Sequence, residues 1–155
     1  MAYTEQLTIE TLSEHNLDNI NELITQLLSE LDDSPVQTAD YKEAALQFLQ
    51  SPKSIVFAAK YENHYVGLLT AVESVAIYAK GTYGVIQELY VLKEARSLAV
   101  GHQLIYAVKC YAEKNNWKRL EVTTPDPTEW ARTVAFYEKQ GFTSIGLRLK
   151  YVLES

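Results

Sequence analysis

A single cysteine, Cys110, stands among 155 residues. No disulfide can form within the chain, and a reducing, cytoplasmic setting is the natural expectation. Cys110 falls in the middle of a helical pattern with no base nearby to activate it, so it reads as inert. The three histidines, His15, His64 and His102, are scattered without a second ligand at metal spacing, and no metal site is expected. Basic residues are in deficit: 14 Lys and Arg against 20 Asp and Glu give a net charge of −6. A nucleic-acid partner would demand clustered positive charge, so none is expected, whereas a cationic substrate is compatible. No apolar run approaches the ~20 residues of a membrane span, and MAYTEQLTIE lacks a basic region followed by an apolar core, so neither a membrane helix nor a secretory signal is expected. Repeats, low-complexity tracts and linkers are missing too. The chain reads as one domain over residues 1–155, long enough to bury a sizeable core.

What is present is a regular succession of elements. Leu7 to Thr11 alternates as a first strand, and Ser13 or Asn16 can cap the helix that follows. That helix carries Leu17, Ile20, Leu23, Ile24, Leu27, Leu28 and Leu31 on one stripe and stops at Asp32-Asp33-Ser34-Pro35. A second helix starts near Thr38 or Asp40 and ends before Ser51-Pro52. Residues 55–59 form a short continuous apolar run, as in a strand covered on both faces. Glu62-Asn63-His64 marks a turn into a strand from Tyr65 to Val75, so the two make a hairpin.

Next come a strand from Gly84 to Leu92, a loop from Lys93 to Ala99, and a helix with Leu104, Ile105, Val108, Tyr111 and Ala112 on one face. Asn115-Asn116 ends this helix. Residues 119–124 alternate as a strand parallel to Gly84–Leu92, with the helix as crossover. Pro125-Asp126-Pro127 breaks that strand, and Thr128 caps a last helix that Gly141 terminates. Phe142 to Leu153 reads as one or two further strands. The fold expected is α/β (α+β): a mixed, mostly antiparallel central sheet of six to seven strands, with helices on both faces.

The step from Gly84–Leu92 into the long helix holds the densest chemistry. Ala99 and Gly101 are small residues where the helix begins. A helix start exposes unpartnered N–H groups and partial positive charge, and so suits an anion such as a phosphate, with Arg96 adding a fixed charge. The plainer reading is an ordinary helix start with an exposed arginine.

The run Arg96-Ser97-Leu98-Ala99-Val100-Gly101 is similar to the signature of the GNAT superfamily of acyl-CoA-dependent N-acyltransferases. That signature is Arg or Gln, two residues, Gly, one residue, then Gly or Ala. Glu88-Leu89-Tyr90-Val91 resembles the family's fourth strand. Ala135-Phe136-Tyr137-Glu138-Lys139-Gln140-Gly141-Phe142 resembles its second motif, a Tyr on the last helix ahead of a Gly-Phe pair. The resemblance spans nearly the whole chain. It departs from the pattern at Ala99, where the family usually has Gly, at Leu98, where a basic residue is frequent, and at Trp130, where an Asn often contacts the cofactor.

The resemblance implies acetyl-CoA as co-substrate and an amine of a small molecule or peptide as acceptor. Arg96, Ser97, Leu98, Ala99, Val100, Gly101 and His102 would cradle its diphosphate. Leu89, Tyr90 and Val91 would bind the pantetheine arm at an edge opened by splaying of the fourth and fifth strands. Glu88 would be the general base that deprotonates the amine, and Tyr137 the acid that protonates the departing thiolate and also contacts the cofactor. Each has a structural alternative: a salt-bridged strand carboxylate for Glu88, a core aromatic for Tyr137. An acyl-CoA-binding regulatory module without turnover fits the same motifs, as does, more distantly, a domain for another phosphorylated ligand. The acceptor would be read by the first two helices and by loops. Two-fold dimers are the commonest assembly, so a homodimer is the default expectation.

Overall fold

A computed structural model describes residues 7–32, 39–124, 131–146 and 148–153. The elements are β1 (Thr8–Thr11), α1 (Leu17–Asp32), α2 (Ala39–Gln50), β2 (Ser54–Tyr61), β3 (His64–Ala76), β4 (Gly81–Val91), α3 (Val100–Lys114), β5 (Leu120–Val122) and α4 (Ala131–Lys139). Short 3-10 turns at Glu14–Asn16 and Lys93–Leu98 precede α1 and α3. The expected loop before the long helix is therefore mostly a 3-10 turn.

Local chemistry accounts for most boundaries. Ser13 caps the first 3-10 turn, and its own N–H donates to Asn16 Oδ1 at 3.1 Å, a reciprocal capping box. The β2–β3 loop is two residues, Glu62 and Asn63, both at positive φ (51° and 64°), which matches the twist of the flanking strands. Asn116 (φ 59°) ends α3, with Trp117 N–H donating to the Ala112 carbonyl at 2.9 Å. Gly141 (φ 99°) ends α4 the same way: Phe142 N–H donates to the Tyr137 carbonyl at 3.1 Å. Both are Schellman caps. The expected Thr128 cap lies outside the described residues.

The sheet runs β1-β2-β3-β4-β5, antiparallel except for the parallel β4–β5 pair. Its two faces carry separate cores. Leu12, Ile20, Leu23, Val56, Ala58, Leu68 and Tyr90 pack on the α1–α2 face. Phe57, Leu69, Ala71, Ile86, Leu104, Ile105, Val108 and Tyr137 pack on the α3–α4 face. The helices on both faces and the mixed sheet match expectation.

The strand number does not. Among the described residues there are five strands, not six to seven. The expected strand or strands over Phe142–Leu153 are absent: the described part of this stretch is irregular backbone with large apolar side chains in solvent. An alternating pattern marks a segment able to be a strand, but it becomes one only beside a partner edge.

Candidate functional site

α3 begins without a side-chain cap. Ala99 is its N-cap residue, left-handed at φ 58°, ψ 29°, and makes no side-chain hydrogen bond. The first helical bond runs from Gln103 N–H to the Ala99 carbonyl at 3.0 Å. The N–H groups of Val100, Gly101 and His102 therefore point out of the helix start, at its positive end, with no acceptor in the helix. The turn places Ala99 at positive φ, where a methyl group costs on the order of 1 kcal/mol.

Packing seats this helix start on the sheet. Val100 is fully buried as a whole residue, so the reachable part of this helix start is the exposed Ala99 and His102 and the half-buried Gly101. The Val100 side chain lies over Gly67 of β3, where an added Cβ would stand 2.7 Å from Val100 Cγ1 and 3.2 Å from the Tyr90 carbonyl oxygen. Gly67 thus draws α3 down beside the end of β4, a role that neither its strand position nor its sequence neighbours signalled. Gly101 is small for a further reason: a Cβ there would sit 3.0 Å from the Phe136 ring of α4. His102 Nδ1 lies 3.0 Å from Gln140 Oε1, and Lys109 Nζ donates to the Gln140 carbonyl, tying α4 to α3. Arg96 is exposed, and its Nε donates to the Val91 carbonyl at 3.3 Å, which holds the guanidinium at the end of β4. Leu98 is exposed, and Ser97 contributes backbone to the 3-10 turn.

β4 supplies the second component. Its pairing with β5 stops at Ile86↔Val122, although β4 continues to Val91. Gly84 N–H points toward β5, donating to the Arg119 carbonyl at 3.0 Å. Glu88 N–H points the other way, to Thr70 Oγ1 at 3.0 Å, and Leu92 N–H likewise reaches the Val66 carbonyl at 2.9 Å. Residues four apart on a regular strand share a direction. The reversal between 84 and 88 therefore reports an extra residue, and the β3–β4 register skips Gln87 between Thr70↔Glu88 and Ala71↔Ile86. This bulge turns the N–H and C=O groups of Leu89 and Val91 to the edge beyond β5. Tyr90 N–H faces β3 instead, so of the three expected pantetheine-binding residues two present amides at that edge.

The two candidate catalytic groups flank the edge from opposite faces. Glu88 and Tyr90 share the α1–α2 face, since they stand opposite Thr70 and Leu68 in the register. Gln87, the other polar residue at this point, is exposed. Thr70 is buried, and its hydroxyl donates to Glu88 Oε1 while accepting the Glu88 N–H. Burial pushes the Glu88 carboxyl up from the ordinary range, and the Thr70 hydroxyl opposes that rise. Tyr137 is buried on the α3–α4 face in the same cluster as Leu89 and Val91, edge-on to the Phe136 and Phe142 rings at 5.4 and 5.7 Å. Burial pushes its phenol up to about 12.

Among the described residues no group of three His, Cys, Asp or Glu side chains could hold a metal, and no helix is long and apolar enough to cross a membrane. A groove lined by Thr11–His15, Leu49 and Ser54–Val56 lies toward the β1 end of the sheet and shares no residue with this constellation.

A crossover helix with a bare start, a bulged strand with a turned-out edge and a tyrosine on the following helix define an acyltransferase-type α/β domain. Residues 20–142 match the Acetyltransferase (GNAT) family, and the chain belongs to it. No curated protein matches the sequence. Solved structures of similar fold include an aminoglycoside acetyltransferase from an uncultured soil metagenomic sample in complex with trehalose (TM-score 0.76, 21% identity, 96% of this chain and 97% of that one). A second is an aminoglycoside N-acetyltransferase in complex with CoA (TM-score 0.79, 15% identity, 100% and 99%). A third is a ribosomal-protein-alanine N-acetyltransferase from Brucella melitensis biovar Abortus 2308 (TM-score 0.72, 17% identity, 97% and 100%). At these identities the likeness is one of fold.

Proposed function

We propose that this protein is an N-acetyltransferase that moves acetyl from acetyl-CoA directly to a primary amine of a small molecule or peptide. The observation that carries the reading is the uncapped start of α3 held beside the turned-out edge of β4. One donor cluster suits a diphosphate, and the adjoining edge suits an extended amide chain. The N–H groups of Gly101 and His102, with the charge of Arg96, would hold the diphosphate, and that of Val100, buried as the structure stands, would join them once a ligand displaces what covers it. Ser97, Leu98 and Ala99 shape the turn that aims them. Leu89 and Val91 would pair with the pantetheine arm as with an added strand. When bound, acetyl-CoA supplies an activated thioester carbonyl.

The chain's own groups then manage charge and protons. A backbone N–H at the edge of β4 can stabilise negative charge developing on the carbonyl oxygen. An amine is mostly protonated near neutrality and must shed a proton before it attacks. Glu88, raised by burial, is a stronger base than an ordinary carboxylate, and it accepts that proton on the α1–α2 face. Tyr137 keeps its proton throughout the neutral range and donates it to the thiolate sulfur from the α3–α4 face. The acceptor would enter over α1, α2 and the β3–β4 hairpin. The acceptors named for the structural neighbours, an aminoglycoside and a ribosomal-protein alanine, set two classes to try.

Free-thiol release measured against polyamines, lysine analogues and aminoglycosides tests the proposal. Release that depends on one amine class supports it. CoA binding without release for any amine would leave an acyl-CoA-binding module without turnover. Absence of CoA binding refutes both.

A further inference from the structure

A buried hydroxyl beside Glu88 is committed at both ends. Thr70 is 3% exposed. Its surroundings on the α1–α2 face are otherwise apolar: Val56 lies opposite on β2, and Leu68 and Val72 are its same-face neighbours along β3. Valine matches the outline of threonine and would sit there without the cost of burying a hydroxyl. Two bonds to Glu88 offset that cost. The Glu88 N–H donates to Thr70 Oγ1 at 3.0 Å, and Thr70 Oγ1 donates its one proton to Glu88 Oε1. Both bonds fall where the β3–β4 register skips Gln87, so the hydroxyl takes in an N–H at the point where the bulge interrupts the ladder.

The arrangement distinguishes the two carboxylate oxygens. The N–H fixes which way the hydroxyl turns, and its proton fills Oε1. Among the described residues Oε2 has no partner. A proton arriving at the carboxylate therefore lands on Oε2, and Thr70 keeps its bond to Oε1 in both protonation states. That bond is stronger to the charged form than to the neutral acid.

We propose that Thr70 is a positioning residue for proton transfer: it holds Glu88 by Oε1 and leaves Oε2 to take the proton of the incoming amine. The N–H bond of the ammonium breaks, the O–H bond forms at Oε2, and the electron pair stays on nitrogen for attack on the thioester. This step rests on the N-acetyltransferase reading, with Glu88 as its base. The neighbouring titratable groups are otherwise engaged or distant from solvent exchange with Glu88. Tyr90 is buried on the same face, Asp18 and Glu22 of α1 are exposed, and Glu121 of β5 is taken up by Arg119 and Tyr78. Among the described residues, burial and the Thr70 hydroxyl are the influences on the Glu88 carboxyl.

Two pH titrations of wild type, Thr70→Val and Thr70→Ser test this together: kcat/KM for amine acetylation, and the Glu88 carboxyl carbon followed by nuclear magnetic resonance. Thr70→Val should move both midpoints to higher pH, because the carboxylate loses its donor. On the acid limb kcat/KM should then fall about tenfold below wild type. Thr70→Ser keeps the hydroxyl and should hold both midpoints where wild type has them. A residue that only packs would change activity equally at every pH. Midpoints that stay put in the valine variant, or move as far in the serine variant, overturn the proposal. A carboxyl titration that moves while the rate profile does not, or while no amine is acetylated, also overturns it, but through the base role of Glu88 and not through its pairing with Thr70. Wild type alone supplies a check that needs no variant to fold. The Thr70 hydroxyl proton should exchange slowly and show a nuclear Overhauser contact to the Glu88 amide; a hydroxyl in fast exchange with water refutes the pairing.

Discussion

Ala99 enters α3 at φ 58° and ψ 29°, with its methyl group crowded against the following carbonyl oxygen. Glycine has no such group. Substituting Ala99→Gly removes a left-handed penalty of about 1–2 kcal/mol, while glycine's extra freedom in the unfolded chain returns about 0.5–1 kcal/mol. The net is a gain of about 0.5–1 kcal/mol, or roughly 1–4 °C in Tm for a chain of this size. Ala99→Val works in the other direction: a β-branched residue in this region is a genuine outlier, and a loss of about 1 kcal/mol or more follows. Urea unfolding of the three proteins is the assay. The midpoint should rise in the order Val, Ala, Gly with an unchanged m-value. Because Ala99 makes no side-chain cap bond, the glycine variant should also keep CoA binding at wild-type affinity or better. A glycine variant no more stable than wild type would refute the left-handed turn, and with it the aim of the three amides beyond it.

Tyr137→Phe keeps the ring between Phe136 and Phe142 and removes only the hydroxyl; kcat should fall by about 10²-fold or more with KM little changed, and an unaltered kcat removes Tyr137 as the acid. Glu88→Gln should abolish the acid limb of the pH–rate profile, along which wild-type activity rises as the carboxyl ionises. It should also stabilise the fold at neutral pH. A carboxyl with a raised folded pKa holds its proton more tightly when folded, so wild-type stability declines as pH climbs through that pKa and stays lower above it. The stability difference between Gln and wild type should vanish at pH values below the ordinary carboxylate range; a difference that persists there points to packing instead. Gly84→Ala places a Cβ 2.0 Å from Trp117 Cζ3 and endangers the 2.8 Å bond from Trp117 Nε1 to Glu73. A loss of about 1–3 kcal/mol or more in denaturant, with altered tryptophan fluorescence, is expected.

The elements that sequence reading located well are those with local causes. The capping pair Ser13 and Asn16, the Asn116 and Gly141 stops, the Glu62-Asn63 turn and the 3.6-residue stripes all act within a few positions of themselves. The candidate site reads in the sequence as a string, Arg96 to Gly101 and Tyr137, but not in the way its parts are arranged. The skip at Gln87 that re-aims Leu89 and Val91 bears no residue-type signature, because a bulge is a relation between two strands. Thr70 as the hydroxyl that grips Glu88 required the same register. Gly67 under Val100 and Gly84 under Trp117 are contacts between residues more than 30 positions apart. The strands expected over 142–153 came from a true periodicity, but alternation does not supply pairing, and no described residue of that stretch pairs with the sheet.

The most direct measurement is a titration of CoA into isotopically labelled protein, followed through backbone amide resonances. The account predicts that Val100, Gly101 and His102 shift most, together with Leu89 and Val91 and with Tyr90 moving less. Silence at those amides, or changes gathered instead around the groove at Thr11–His15 and Ser54–Val56, would contradict it.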